Sequence, residues 1–284
     1  MPRVSFCMLR SMPRLMLSAW LAMALGCSSL PAVSPTLISQ NSSQCVVLIH
    51  GLWRSGSAMS VIARHLEHYG YYVSVVDYPS TQKTIPELSA EYLEPAVADC
   101  KEQGAKTIHM VSHSMGGILV RQYLQTHTLP PGGKVVMLSP PNQGSKLSEF
   151  FYGNWFYEAI VGPAGVSLTK QGGGIISGLE PVSVPVGIIA AYRAWSLWPQ
   201  SWLPQPNDGT VAVASMMLPE MTDFVLVNSG HAMMRHSDKT HAYIRQFIER
   251  GAFTALYDEN EKRMALRLET DFSLAATANL SVMN

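Results

Sequence analysis

Charge is scarce in this sequence. Only 14% of its 284 residues are Asp, Glu, Lys or Arg, and 20 basic residues balance 20 acidic ones. A nucleic-acid binder needs a basic excess, and a disordered chain needs high charge with few apolar residues. The balance, with 47% hydrophobic residues, argues against both. No apolar run reaches the roughly 20 residues that would span a bilayer. The four cysteines include no CxxC pair, which argues against a zinc ribbon or a thioredoxin-type site. There is no HExxH, and Gly172-Gly173-Gly174 lacks the following Lys-Ser/Thr of a phosphate-binding loop, so no metal or cofactor is implied. With no internal repeat either, the expectation is one compact, apolar domain, the default at this length.

The start of the chain reads as an address. Arg3, Arg10 and Arg14 flank an apolar stretch at 15–25, Gly26-Cys27-Ser28-Ser29 follows, and no acidic residue occurs before Gly26. This is the charged, apolar and small-residue order of a secretory signal, assigned to 1–26. Ala24-Leu25-Gly26-Cys27 is similar to the bacterial lipobox, in which the cysteine becomes the lipidated first residue. Ala24 stands where that motif usually has Leu, so a lipid anchor on Cys27 and a soluble periplasmic or secreted protein both remain open. Either way the expected location is the cell envelope or outside it. Signal removal leaves 17 basic against 20 acidic residues, and lipidation would leave Cys45 and Cys100 as two further cysteines. In an oxidising compartment such a pair suggests a disulfide, against the alternative of two buried thiols. Residues 27–44, rich in Ser, Pro and Thr, read as a tether.

From residue 45 to 253 the pattern alternates. Short apolar runs at 45–49, 71–76, 108–112, 134–138, 184–190 and 224–227 predict strands, the first of them buried on both faces. Helical periodicity falls at 57–69, 85–103, 115–126 and 238–250, with Pro95 predicting a kink in the second and Gly251 ending the last. The predicted fold is α/β: a mostly parallel sheet of about six strands covered by helices on both faces. The aromatic-rich segments 150–182 and 194–206 (Trp195, Trp198, Trp202) fit either a cap over a pocket or core packing. Residues 254–284 read as a loosely packed tail.

The chemical signal centres on Ser114. Residues 108–117 run strand, sharp turn, helix, and Ser112-His113-Ser114-Met115-Gly116 follows the G-x-S-x-G nucleophile elbow with Ser112 in place of the first glycine. Such a turn lifts Ser114 Oγ clear of the sheet at a helix N-terminus, where developing negative charge is favoured. Serine needs a histidine to take its proton and a carboxylate to orient that histidine, in the chain order Ser, Asp/Glu, His. Asp208, in the turn Asn207-Asp208-Gly209-Thr210, and His231, just past the sixth strand, satisfy that order on the same sheet edge. Asp223 falls on the opposite edge, His236 is the runner-up base, and His241 lies within the last helix. The loop after Ile49-His50-Gly51 and the residue after the nucleophile supply the oxyanion-hole amides of an elbow enzyme. These are the backbone N–H groups of Leu52, with Trp53 as runner-up, and Met115; His50 is read as a loop brace.

Taken together, residues 46–51, Val76-Asp77-Tyr78-Pro79, His113 to Gly117, residues 140–145, Asn207-Asp208-Gly209 and Gly230-His231 resemble the lipase/esterase superfamily of α/β-hydrolases. The resemblance is in particular to its small bacterial branch similar to the GPI inositol-deacylases. The resemblance implies a three-layer α/β-hydrolase fold whose sheet begins at the family's third strand. It also implies that the first strand and the end of helix 85–103 meet at the bottom of the sheet, which pairs Cys45 with Cys100. The expected function is carboxylic ester hydrolysis of a small-molecule or lipid acyl ester through a Ser114–His231–Asp208 triad. Acyl transfer by the same triad, or a silent hydrolase fold used as an envelope binding factor, are the alternatives.

Overall fold

A computed structural model of the chain describes residues 41–170, 174–193, 199, 202–253 and 259–282. The signal segment, Cys27, most of the tether, Trp195 and Trp198 lie outside the described residues. Six strands form one sheet: β1 (Gln44–Ile49), β2 (Tyr72–Val76), β3 (Thr107–His113), β4 (Val135–Leu138), β5 (Val186–Ala191) and β6 (Asp223–Val227). Their order is β2-β1-β3-β4-β5-β6 and every neighbouring pair is parallel, so the mostly parallel sheet expected is wholly parallel.

The apolar runs explain the layering. Along β1, Cys45, Val47 and Ile49 point into one buried cluster while Val46 and Leu48 point into another. An alternating strand apolar on both sides must be covered twice. On the first face lie α2 (Ile85–Leu88), α3 (Glu94–Glu102) and α4 (Gly116–Tyr123), through Leu88, Val97 and Ile118. On the second lie α1 (Ser60–His68), through Ile62 and Leu66, and α8 (Asp238–Arg250), through Ile244 and Phe247. Between β4 and β6 come α5 (Lys146–Phe150), α6 (Trp155–Val166) and the short α7 (Val213–Met216).

The single helix expected over 85–103 is interrupted. A capping box between Thr84 and Glu87 starts it, a π turn at Ser89–Leu93 breaks it, and Pro95 sits in the first turn of α3, where its missing N–H costs nothing. Of the tail, the described residues 259–282 form a helix. Helix α9 (Glu259–Val282) lays Met264, Leu268 and Phe272 against the first-face core, buries Ala265, and is pinned by Lys239 Nζ to Glu261 at 2.5 Å. Those three apolar residues recur every four positions, a stripe masked in the sequence by the charges between them. Cys45 in β1 and Cys100 in α3 are disulfide-bonded with their Cα atoms 5.7 Å apart, at the amino-terminal edge of the sheet.

His109 in β3 is fully enclosed, and Nε2 donates to Gln44 Oε1 at 2.9 Å. Burial, helped by the charge of Lys134, lowers its pKa to about 3. Between pH 6.5 and 3 the unfolded chain therefore binds a proton that the native chain refuses. Stability is full above pH 6.5 and falls as the solution is acidified. From pH 6.5 to 4 wild type is expected to lose on the order of 3 kcal/mol more than His109→Gln, read from urea unfolding at each pH. Parallel pH profiles for the two proteins would dismiss the assignment.

Candidate active site

The sheet order reverses at β1: β2 lies on one side of it and β3 on the other. Loops leaving the carboxyl ends of β1 and β3 diverge there and open a crevice, the usual ligand position of such sheets. Ser114 occupies that crevice. β3 ends at His113 and α4 begins at Gly116, so Ser114 and Met115 make the whole turn. Ser114 has φ 55°, a left-handed conformation that costs a non-glycine residue on the order of 1 kcal/mol. Its N–H donates to Leu138 O at 2.8 Å, which holds the turn against the sheet. Glycine follows because the helix enters so closely. A Cβ on Gly116 would lie 2.6 Å from the His50 carbonyl oxygen, and one on Gly117 2.9 Å from Pro140 Cβ. Ser112, in place of the motif's first glycine, is buried beside Gly117 and small enough to fit.

The structure brings the three expected side chains together. His231 Nε2 lies 2.9 Å from Ser114 Oγ, and His231 Nδ1 lies 2.6 Å from Asp208 Oδ2. Asp208 is buried, and its other oxygen accepts the N–H groups of Thr210 at 2.9 Å and Val211 at 2.8 Å. An ionised Asp208 can only accept, so Nδ1 carries the proton and the Nε2 lone pair faces the serine hydroxyl. The two loops are also tied through the backbone, His231 N–H donating to Asp208 O at 2.9 Å. Asn207 shapes the Asp208 turn: its Oδ1 accepts Gly209 N–H at 2.9 Å, and Gly209 has φ 95°.

The rejected candidates lie elsewhere. Asp223, at the start of β6, accepts the N–H groups of Phe224 and Phe253. His241 is buried in α8, its Nε2 donating to Arg235 O at 2.8 Å. His236 ends a short 3-10 turn beyond His231. His50 braces its loop: Nδ1 donates to Gly51 O at 2.9 Å, Nε2 accepts Tyr78 N–H at 3.3 Å, and the two rings stack 4.0 Å apart. The Trp53 N–H is spent on Ser80 Oγ at 3.0 Å, which removes it as an oxyanion donor. Leu52 and Met115 remain on the wall beside Ser114, and their amides hold no protein acceptor among the described residues.

Sequence reasoning overlooked His113. It is buried, and its Nε2 donates to the His231 carbonyl at 2.8 Å, so it fixes the loop that carries His231. Burial, then the charges of His231 and Arg235, push its pKa well below the usual histidine range and keep it neutral. Its place beside Ser114 was visible, but its reach across to the β6 loop was not.

A cavity of about 540 Å³ opens over Ser114 and His231. Its apolar wall comes from the segment between β4 and β5, including Leu147, Phe151, Tyr157, Val161 and Leu168. From segment 150–182, Phe151, Phe156, Tyr157, Ile160, Val161 and Leu168 line this cavity. Trp155 and Phe156 are exposed, and Trp53 Nε1 ties the loop after β1 to α6 by donating to Ile160 O at 2.9 Å. Of the tryptophans at 194–206, Trp202 packs on Phe150 with ring centres 3.9 Å apart.

A parallel sheet covered on both faces, with a serine on a strained strand-to-helix turn and histidine and aspartate from later strand ends, is the construction of an α/β-hydrolase. The chain belongs to the alpha/beta hydrolase family, whose sequence profile matches residues 46–251. No curated protein matches the sequence. Solved structures do resemble it. A mature Bacillus licheniformis lipase superposes with TM-score 0.57 at 20% identity, over 73% of this chain and 91% of the lipase. A Legionella pneumophila phospholipase gives TM-score 0.58 at 14% identity, over 80% of this chain and 63% of its own. A metagenomic carboxyl esterase gives TM-score 0.54 at 18% identity, over 80% of each chain. At such identities these likenesses speak for the fold.

Proposed function

We propose that this hydrolase cleaves carboxylic esters through an acyl-enzyme on Ser114. The observation that carries the reading is the relay of 2.9 Å from Ser114 Oγ to His231 Nε2 and 2.6 Å from His231 Nδ1 to Asp208. Ser114 Oγ attacks the ester carbonyl as its proton passes to Nε2, and Asp208 stabilises the resulting imidazolium. The oxyanion is held by the Leu52 amide, on the loop after β1, and the Met115 amide at the head of α4. The carbon–oxygen bond to the alcohol then breaks, and Nε2 returns its proton to the leaving oxygen. Water, deprotonated by the same nitrogen, attacks the acyl-serine, and the acid leaves with the Ser114 hydroxyl restored. The apolar wall under α6 suits an acyl chain, and the cavity has the size of a small-molecule site.

Export belongs to the same proposal. The signal at 1–26 supports it, and so does the Cys45–Cys100 bridge, since structural disulfides persist in oxidising compartments. Lipidation of Cys27 would hold the enzyme at a membrane.

The test is labelling by a fluorophosphonate together with hydrolysis of p-nitrophenyl esters of increasing acyl length. One label per chain at Ser114, blocked by a cleaved ester, is the expected result. A folded protein that neither labels nor turns over any ester would overturn the reading in favour of a silent fold.

A further inference from the structure

We propose that the ester this enzyme cleaves is built on a phosphorylated alcohol, whose phosphate is held by Arg54 and Arg235 beside the catalytic cavity. The inference rests on the ester-hydrolase reading and adds the substrate class to it. A recess of about 520 Å³ is lined by Trp53, Arg54, Ser55, Ser57, Ala58 and Arg235. It shares Trp53 and Arg54 with the cavity over Ser114, so the two form a continuous surface. Arg54 lies two residues beyond the Leu52 amide, and Arg235 four residues beyond His231. Both guanidinium groups therefore ride on loops that carry the reaction.

Arg235 is only 6% exposed. Nη1 donates to Ala58 O at 2.5 Å, but the buried Nε has no partner, and no carboxylate pairs with either arginine among the described residues. The Nε atoms of Arg121 and Arg245 are likewise buried without a partner, but their guanidinium groups make more bonds. Arg121 donates to the carbonyls of Asn142 and Leu179, and Arg245 pairs with Glu249 over the Tyr69 ring. Burying a cation beside another without a counter-charge is costly, and burial together with the Arg54 charge lowers the pKa of Arg235. An anion entering the recess removes that cost. Two forked guanidinium groups suit a phosphate, and the Ser55 and Ser57 hydroxyls, hydrogen-bonded to each other at 2.7 Å on the same wall, leave one further proton to donate. With the acyl chain under α6, the alcohol half of the ester lies toward the arginines, and the phosphate leaves intact on the alcohol product.

The experiment compares 1-octanoyl-glycerol with its 3-phosphate, matched in acyl chain, under wild type, Arg54→Gln and Arg235→Lys. Wild type is expected to favour the phosphate ester in kcat/KM by at least about tenfold, mostly through KM. Arg54→Gln, on an exposed loop, brings that ratio toward one, and Arg235→Lys, which keeps charge but loses the fork, falls between. A parallel arm offers phosphatidylglycerol vesicles. Cleavage there but not of the soluble ester assigns the phosphate to a lipid headgroup, and the reverse assigns it to a soluble metabolite; both support the proposal. Equal rates on both glycerol esters, with a ratio unmoved by Arg54→Gln, overturn it alone. So does a protein that fluorophosphonate labels at Ser114 but that cleaves no phosphate ester. A protein that neither labels nor hydrolyses any ester instead overturns the parent reading.

Discussion

Ser114→Ala is expected to lower kcat by about four to six orders of magnitude with KM little changed. The hydroxyl supplies the only covalent bond to the acyl group, whereas the walls that bind the ester are untouched. The fold should survive, because alanine fits the turn that Ser114 makes at φ 55°, and the flanking glycines are unaltered. Asp208→Asn separates orientation from nucleophilicity. An amide at 208 donates toward Nδ1 or leaves the wrong nitrogen protonated, so the Nε2 lone pair no longer faces Oγ. The expected loss is about 10⁴-fold in kcat. It should be measured with p-nitrophenyl esters, with circular dichroism and thermal melts confirming folding. Because the two residues act as one relay, the double variant should be hardly slower than Ser114→Ala alone. A Ser114→Ala enzyme retaining more than about a hundredth of wild-type activity would remove Ser114 as nucleophile.

How much of this site could be read beforehand follows from how local each signal is. The turn at Ser114 is written in five adjacent residues, because a Cβ at 116 would lie 2.6 Å from the His50 carbonyl oxygen and leaves room only for glycine. Asp208 and His231 were placed by a coarser argument: later strands of a parallel sheet end on the same edge, and the structure does bring both to Ser114. The contacts that refine the site were not legible. Ser80 occupies the Trp53 amide from 27 residues away, His113 reaches the carbonyl 118 residues on, and Arg235 bonds Ala58 across 177. No spacing rule encodes such meetings, since they depend on where loops close. Helix α6, which lines the cavity, was hidden differently. It turns at Gly162, φ 67°, where a Cβ would strike Thr81 O, and that break erases the 3.6-residue period by which a helix is read. Pro95 did mark a real interruption, but the break takes the form of a π turn at Ser89–Leu93, before the proline, which then sits in the first turn of α3.

Replacing both Cys45 and Cys100 by alanine is expected to cost roughly 4 kcal/mol of stability. The bridge spans a sequence separation of 55 residues, which contains β2 and α1 to α3, and it restricts that whole segment in the unfolded chain. Both cysteines are fully buried, so the variant also loses packed sulfur at the junction of β1 and α3. Two signatures distinguish these causes in urea unfolding. Loss of the cross-link lets the unfolded state expand, so the m-value should rise while the midpoint falls; a packing defect alone lowers the midpoint at constant m. Wild type under a strong reductant should follow the double variant in m. Unchanged stability in both would mean that the bridge does not form in solution, and the argument for export would rest on the leader alone. Activity below the unfolding transition should be nearly unaffected. Cys45 begins β1, whereas the Leu52 amide and Ser114 lie beyond the carboxyl ends of β1 and β3, so the length of the sheet separates the staple from the chemistry. For the exported enzyme proposed above, such a bridge would add endurance without touching the walls of the cavity over Ser114.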